Sequence, residues 1–155
     1  MIRLIAGALA GLIATIPMTL AMKAMHSQLP EEEQYPLPPR LIVENAAAKS
    51  GVEDDLDEES ETQLTYISHF TYGAATGALY NASMKALDVE PSAATGIAYG
   101  LGVWSLSYLG LLPAAGLLSP ATEHPARRNA LMIASHVVWG ATLGAAARRL
   151  NDLDR

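Results

Sequence analysis

The segment SHVVWGATLGA at residues 135–145 repeats a pattern that the chain already carries as SHFTYGAATGA at residues 68–78. Both segments read Ser-His-x-x-aromatic-Gly-Ala-x-x-Gly-Ala, so seven of the eleven positions match when the aromatic residues are counted together. Small residues at such regular offsets are typical of helices that pack closely inside a membrane. The pattern therefore predicts two copies of one helix, around which the rest of the chain can be interpreted.

Each copy lies in a long stretch without charge, and two further stretches of this kind exist. The uncharged windows cover residues 4–22, 62–84, 91–122 and 129–147. A helix needs roughly 20 residues to cross the apolar part of a bilayer, and the windows lack the regular polar face of a soluble bundle. We therefore predict an all-α integral membrane four-helix bundle, a single domain over residues 1–155, with spans at about 4–25, 62–84, 93–117 and 129–149.

The two halves of the chain share an order of elements. Gly7 and Gly11 open the first span, and Gly96 and Gly100 open the third at the same spacing. Each half thus has a small-residue helix, a loop and a histidine helix, giving repeat 1 at about 1–85 and repeat 2 at about 91–150. A unit of two helices returns the chain to its starting side, so the repeats should be parallel and related by an axis along the membrane normal.

The histidines are the candidate functional pair. Residues i, i+4 and i+8 share one stripe of a helix, which groups His69 with Gly73 and Gly77, and His136 with Gly140 and Gly144. Each histidine lies about seven residues, or roughly 10 Å, from the start of its span. The pattern predicts that both imidazoles lie at one depth on a packing face and oppose each other. Tyr72, Trp139 and Asn81 flank that face.

Three interpretations of the pair stay open. In the first, neutral imidazoles hydrogen-bond across helices and fix the packing. In the second, they titrate while the protein handles a proton or a solute, as in a channel or transporter. In the third, they are axial ligands of haem b in an electron carrier. A metal on two histidines alone would lack ligands, because no carboxylate lies in any span.

The first loop holds most of the negative charge, with 11 of the 16 acidic residues between Glu31 and Glu61. The apolar spacing after its prolines predicts a short interfacial helix over residues 41–52, closed by Gly51. We expect three arginines to contact lipid headgroups at the membrane surface: Arg40, Arg127 and Arg128.

Composition excludes several classes of protein. Without Cys the chain has no disulfide or thiolate site, and a net charge of −6 argues against nucleic acid as a partner. No nucleotide-binding loop, catalytic triad or metalloprotease motif occurs, so we do not expect an enzyme. The basic residues divide evenly between the two sides. The acidic loop favours cytoplasmic termini, and small residues on several faces favour a homo-oligomer or a membrane partner in the lipid bilayer.

Two segments carry a resemblance. At Pro36-Leu37-Pro38-Pro39-Arg40 and Ser135-His136-Val137-Val138-Trp139 the chain resembles the YagU-like group, a family of uncharacterised bacterial membrane proteins. The resemblance implies a multi-spanning inner-membrane protein and no established reaction.

Overall fold

The computed structural model describes residues 2–153. In that range the regular secondary structure is all helical, and no strand occurs. A π-helical segment, Ser107–Leu111, joins the fourth helix to the fifth, and single 3-10 turns occur in the loops. The all-α prediction is confirmed. The helices are α1 (Ile2–His26), α2 (Pro38–Ser50), α3 (Glu58–Ala86), α4 (Ala93–Leu106), α5 (Leu112–Ala114) and α6 (Ala126–Asp152).

Three helical stretches in the described range are long and apolar enough to cross a membrane, whereas the sequence predicted four. They are Arg3–His26, Ala93–Ala114 and Ala126–Asp152. Helix α3 has sufficient length but does not reach the same mean hydropathy. The prediction relied on the absence of charged residues. Helix α3 lacks charge over this window but contains uncharged polar side chains, among them Ser68, Thr76 and Asn81, which lower its mean hydropathy.

Local chemistry explains where the helices begin. Helix α2 starts at Pro38, three residues before the predicted start, because its prolines occupy first-turn positions that need no N–H donor. It ends at Gly51, whose φ of 67° is the left-handed conformation that glycine adopts most easily. The Asp57 side chain caps α3 by accepting from the Ser60 N–H at 2.8 Å, and this interaction lowers the pKa of Asp57.

Glycines let the helices pair closely within each half of the chain. A Cβ at Gly7 would lie 2.6 Å from the carbonyl oxygen of Gly77, and a Cβ at Gly11 would collide with the carbonyl of Gly73. These contacts join α1 to α3. In the second half, a Cβ at Gly96 would collide with the carbonyl of Gly140. Helices α1 and α4 therefore approach α3 and α6 at the glycines that the sequence singled out.

The second pair uses the same contacts in a different register. A Cβ at Gly100 would lie 2.6 Å from the carbonyl oxygen of His136. The contact of Gly11 is Gly73, which corresponds in the repeated motif to Gly140, one turn after His136. Gly144, the last glycine of the α6 stripe, meets the backbone of Ser92 at the start of α4. Helix α4 is thus displaced along its partner by about one turn relative to α1.

Helix α1 packs against both α3 and α6, while α4 packs against α6. The core of α1 consists of small residues, since Ala10 and Ala14 are fully buried beside Trp139 and Leu143 of α6. Tyrosines bridge α3 and α4: the Tyr99 hydroxyl donates to the Thr76 carbonyl at 2.9 Å, and the Tyr80 hydroxyl lies 2.8 Å from Thr95 Oγ1. The packing leaves space between α3 and α4.

Candidate functional site

A cavity of about 270 Å³ occupies this space. It lies near the end of the bundle that carries the loops between α1 and α3 and between α5 and α6. Its walls are mostly apolar, and its polar groups come from α1, α3, α6 and the π-helical segment. The polar lining includes Thr15, His69, Tyr72, Ser107, Tyr108 and His136.

His69 and His136 both line this cavity, together with the flanking Tyr72 and Trp139. The sequence predicted that the histidines share one face and one depth, and the structure places them on the wall of one cavity. Their helices do not pack extensively against each other, whereas α1 packs against both. The two imidazoles therefore look into a common space rather than into a closed helix interface.

The imidazole of His136 is held in place by its neighbours. It is buried, and its Nδ1–H donates to the carbonyl of Met132 at 2.8 Å, one turn earlier in α6. The ring of Tyr108 packs edge-on against the imidazole at 5.8 Å between centroids. These contacts fix the ring orientation, so His136 presents one face and one nitrogen in a defined position.

His69 is placed differently. Its imidazole is half-buried and packs edge-on against Phe70, with 6.1 Å between the ring centroids. Its Nε2 is buried without a hydrogen-bond partner among the described residues. A buried polar atom of this kind costs about 1–3 kcal/mol. Because His69 lines the cavity, a change of its side-chain rotamer would let a ligand serve as the partner of this atom.

The π-helical segment delivers two further polar groups that the sequence did not single out. Ser107 and Tyr108 are buried, and the Tyr72 hydroxyl lies 3.0 Å from Ser107 Oγ. Pro113 has no N–H for the carbonyl of Leu109, one turn before it, and its ring crowds that carbonyl. The helix widens at this point, and such π-bulges are frequent at functional sites. The widening was not among the predictions from the sequence.

Haem does not fit the cavity in its present shape. Two imidazoles at one cavity form the donor set of a bis-histidine haem. However, a volume of about 270 Å³ lies at the lower limit of pockets for drug-sized ligands, which span roughly 300–1,000 Å³. The haem macrocycle exceeds that ligand size, so a smaller ligand suits the space better.

Asn81 lies away from the cavity. Its Nδ2 donates to Asn151 Oδ1 at 2.9 Å, and Asn151 returns the same bond. Asn81 also donates to the carbonyl of Arg3 at 2.8 Å. This amide pair joins α1, α3 and α6 near the chain termini, so Asn81 fixes packing and does not extend a polar path from His69.

The three arginines expected at the surface bind protein groups. Arg40 donates through Nε to Glu44 at 2.7 Å and also contacts Glu61 and Thr62, which ties α2 to α3 and raises the pKa of Arg40. Arg127 is exposed and lies 3.8 Å from a carboxylate oxygen of Glu33.

Arg128 is buried within the protein, and its position relative to the headgroups stays a prediction. Its guanidinium donates to the carbonyls of Glu33 at 2.6 Å, Tyr35 at 2.8 Å and Pro36 at 2.8 Å, and it stacks 3.5 Å above the ring of Tyr35. The loop carbonyls need donors because this extended segment has no helical partners. Arg128 thus clamps the first loop over the bundle.

Two histidines complete this loop clamp, and neither was a candidate from the sequence. The Tyr35 hydroxyl and His124 Nδ1 share a hydrogen bond of 2.9 Å. His26 donates through Nε2 to the Tyr35 carbonyl at 3.0 Å. Contacts between residues so distant in sequence leave no periodic signal.

Comparison with known families gives one match. A model of the family described as "Protein of unknown function (DUF1440)" matches residues 30–145, well over half of the chain. No curated protein and no solved structure matches. The matched region contains Arg128 and the loop carbonyls that it binds, His69 and His136, and the whole of the π-helical segment.

Proposed function

The chain belongs to the DUF1440 family of proteins of unknown function, and we propose that it is a multi-pass inner-membrane protein that takes a small, largely apolar ligand into the cavity between its helices. It acts as a transporter-like protein or as the binding subunit of a larger membrane assembly. Three apolar helices support the membrane location. The YagU-like assignment remains a prediction.

The proposal includes α3 as a fourth span. Helix α3 runs beside α1 through the close contacts of Gly7 and Gly11, and α1 is one of the three helices apolar enough to cross. Several of its polar side chains are turned to the cavity or to α4, among them His69, Tyr72 and Thr76. A span can carry such groups where they line a cavity or are bonded to protein.

The observation that carries the proposal is the free Nε2 of His69 in a cavity shared with His136. Binding sites for small molecules are mostly apolar, with a few placed polar groups that fix orientation. His69 supplies the group that lacks a partner, while His136 is held by Met132 and Tyr108. We propose that His69 contacts the ligand and that His136 shapes the opposite wall.

Access to the cavity can be tested by thiol labelling, because the chain contains no Cys. Ser107→Cys places a thiol on the cavity wall. Ser135→Cys is the matched control, since Ser135 is fully buried on α6 and does not line the cavity. The purified variants are treated with methyl methanethiosulfonate, a small neutral reagent, in a neutral detergent, and mass spectrometry follows the reaction.

We expect Ser107→Cys to react at least about tenfold faster than Ser135→Cys, because reaction at the control position requires local opening of the bundle. Both thiols should react equally after denaturation. Equal rates in the folded protein would show that small molecules do not enter the cavity and would overturn the proposal.

A further inference from the structure

A second cavity, of about 330 Å³, lies next to the first, between the loop-side ends of α1 and α3 and the start of α2. Lys23 and Tyr66 are on its wall, together with His26 and Arg40. These residues belong to the end of the bundle where the first loop begins. The second cavity is therefore closer to the membrane surface than the first.

His69 and Pro39 line both cavities. The imidazole of His69 thus stands at the junction of the outer and the inner space. A ligand that extends through both would pass the unpartnered Nε2 of His69. His69 and Pro39 are thus the residues that a ligand occupying both the outer and the apolar inner cavity would have to pass.

The outer cavity is lined by cations and by no carboxylate within the described residues. Arg40 is already paired with Glu44 and Glu61. Lys23 forms no ion pair in residues 2–153; its Nζ donates to the Tyr66 hydroxyl at 2.6 Å and lies 5.2 Å from the centre of that ring. Lys23 is thus an exposed positive charge without a carboxylate partner in these residues, beside a hydroxyl and at the outer end of the cavities.

We propose that the two cavities together bind a single-chain amphiphilic anion, a carboxylate or a phosphate monoester. Its charged group is held by Lys23 and Tyr66, its chain passes His69, and its apolar end lies in the inner cavity. A neutral ligand would leave Lys23 unmatched, and a cationic ligand would be repelled by it. The inference rests on the proposed function, because it needs an inner cavity that small molecules can enter.

The first experiment compares charged reagents on the Ser107→Cys protein. Sulfonatoethyl methanethiosulfonate carries a negative charge, and trimethylammonium-ethyl methanethiosulfonate carries a positive one. We expect the anionic reagent to react about tenfold faster, at the lower end of electrostatic steering effects. Adding Lys23→Gln should abolish the difference. Lys85→Gln is the control, because Lys85 is an exposed lysine at the other end of α3 and should leave it unchanged.

The second experiment measures protection against the neutral reagent. Decanoate should slow the labelling of Ser107→Cys about tenfold more than decanol, which has the same chain length but no charge. The excess should disappear with Lys23→Gln. Phosphatidylglycerol added to the detergent should protect less than decanoate, since its two acyl chains do not fit the single space.

The outcomes separate the two proposals. If the neutral reagent fails to label Ser107→Cys, the proposed function fails. If the neutral reagent reacts but neither the anionic preference nor the decanoate protection depends on Lys23, the ligand class is wrong while the cavity remains a binding site. Protection by phosphatidylglycerol but not by decanoate would also overturn the single-chain ligand.

Discussion

At the scale of single residues, the two histidines illustrate how one motif serves two purposes. His136 donates to the carbonyl of Met132 and carries the ring of Tyr108 on its face. His69 has the same neighbours in sequence but a buried Nε2 with no partner in the described chain. The first residue contributes to packing, and the second is the residue for which we propose contact with a ligand.

Replacing each histidine by leucine should therefore affect thermal stability differently. His69→Leu removes an unsatisfied nitrogen whose burial costs about 1–3 kcal/mol, so the Tm should rise or stay unchanged. His136→Leu removes the bond to Met132 and the fixed contact with Tyr108, so the Tm should fall. Thermal unfolding in neutral detergent, followed by circular dichroism, measures both.

A drop in Tm for His69→Leu as large as for His136→Leu would show that both imidazoles are packing residues. That result would favour the purely structural interpretation of the pair. The same variants can be carried into the Ser107→Cys protein to connect stability with ligand protection.

At the scale of helices, glycine determines how closely neighbours approach. The carbonyls of Gly73 and Gly140 occupy the positions where a Cβ at Gly11 or at Gly96 would lie. In contrast, Gly102 on α4 has no atom within 4 Å of its Cβ position among the described residues. Gly102 is thus the matched control for a test of the close contacts.

Gly11→Ala and Gly96→Ala should both lower the Tm, because each forces two backbones apart and loses van der Waals contact along the pair. Gly102→Ala should be neutral or stabilising, since alanine is favoured over glycine in a helix by about 1 kcal/mol. Thermal unfolding of the three purified variants provides the comparison. A similar loss in all three would mean that the glycines act through the helix itself and not through its neighbour.

The sequence was informative about these elements where a regular pattern existed. The i, i+4, i+8 stripes placed His69 and His136 beside the close-contact glycines, and Gly51 marked the end of α2. The pattern could not show the π-helical widening at Ser107. The widening depends on how the helix accommodates the carbonyl of Leu109, for which Pro113 has no N–H. It also could not show Arg128 bonded to loop carbonyls, since hydrogen bonds between distant segments have no period.

At the scale of the whole molecule, the bundle departs from a symmetric pair of repeats. Helix α1 packs against α6 through Ala10 and Ala14, whereas α4 and α3 are held by tyrosine side chains across a cavity. The duplicated segments at residues 68–78 and 135–145 thus lie in different environments. The two-repeat architecture remains a proposal that rests on the sequence pattern and on the glycine contacts of each half.

The topology follows from the proposal of four spans and can be measured. Residues 50 and 122 should lie on one side of the membrane, and residue 89 on the other side with the chain termini. Ser50→Cys, Thr122→Cys and Val89→Cys are labelled in inverted and right-side-out vesicles with an impermeant maleimide. We expect the first two to react from the same face, which is the periplasmic one if the termini are cytoplasmic.

Reaction of Val89→Cys from the same face as Ser50→Cys would show that α3 does not cross. Hydropathy alone selects three helices, so this experiment decides on the fourth. The uncharged window at 62–84 lies within α3, Glu58–Ala86, and its assignment as a span stays a prediction. The absence of charge could not predict how many polar side chains of α3 would face the cavity.

The clamp of Arg128 on the carbonyls of Glu33, Tyr35 and Pro36 has a consequence for biogenesis. The first loop is synthesised more than ninety residues before the arginine that holds it, so in the proposed topology it has crossed the membrane before the last helix is inserted. The contact between α1 and α6 forms at the same stage. Translation of α6 is therefore the event that closes the bundle, and the cavity between the helices forms only after α6 has been made.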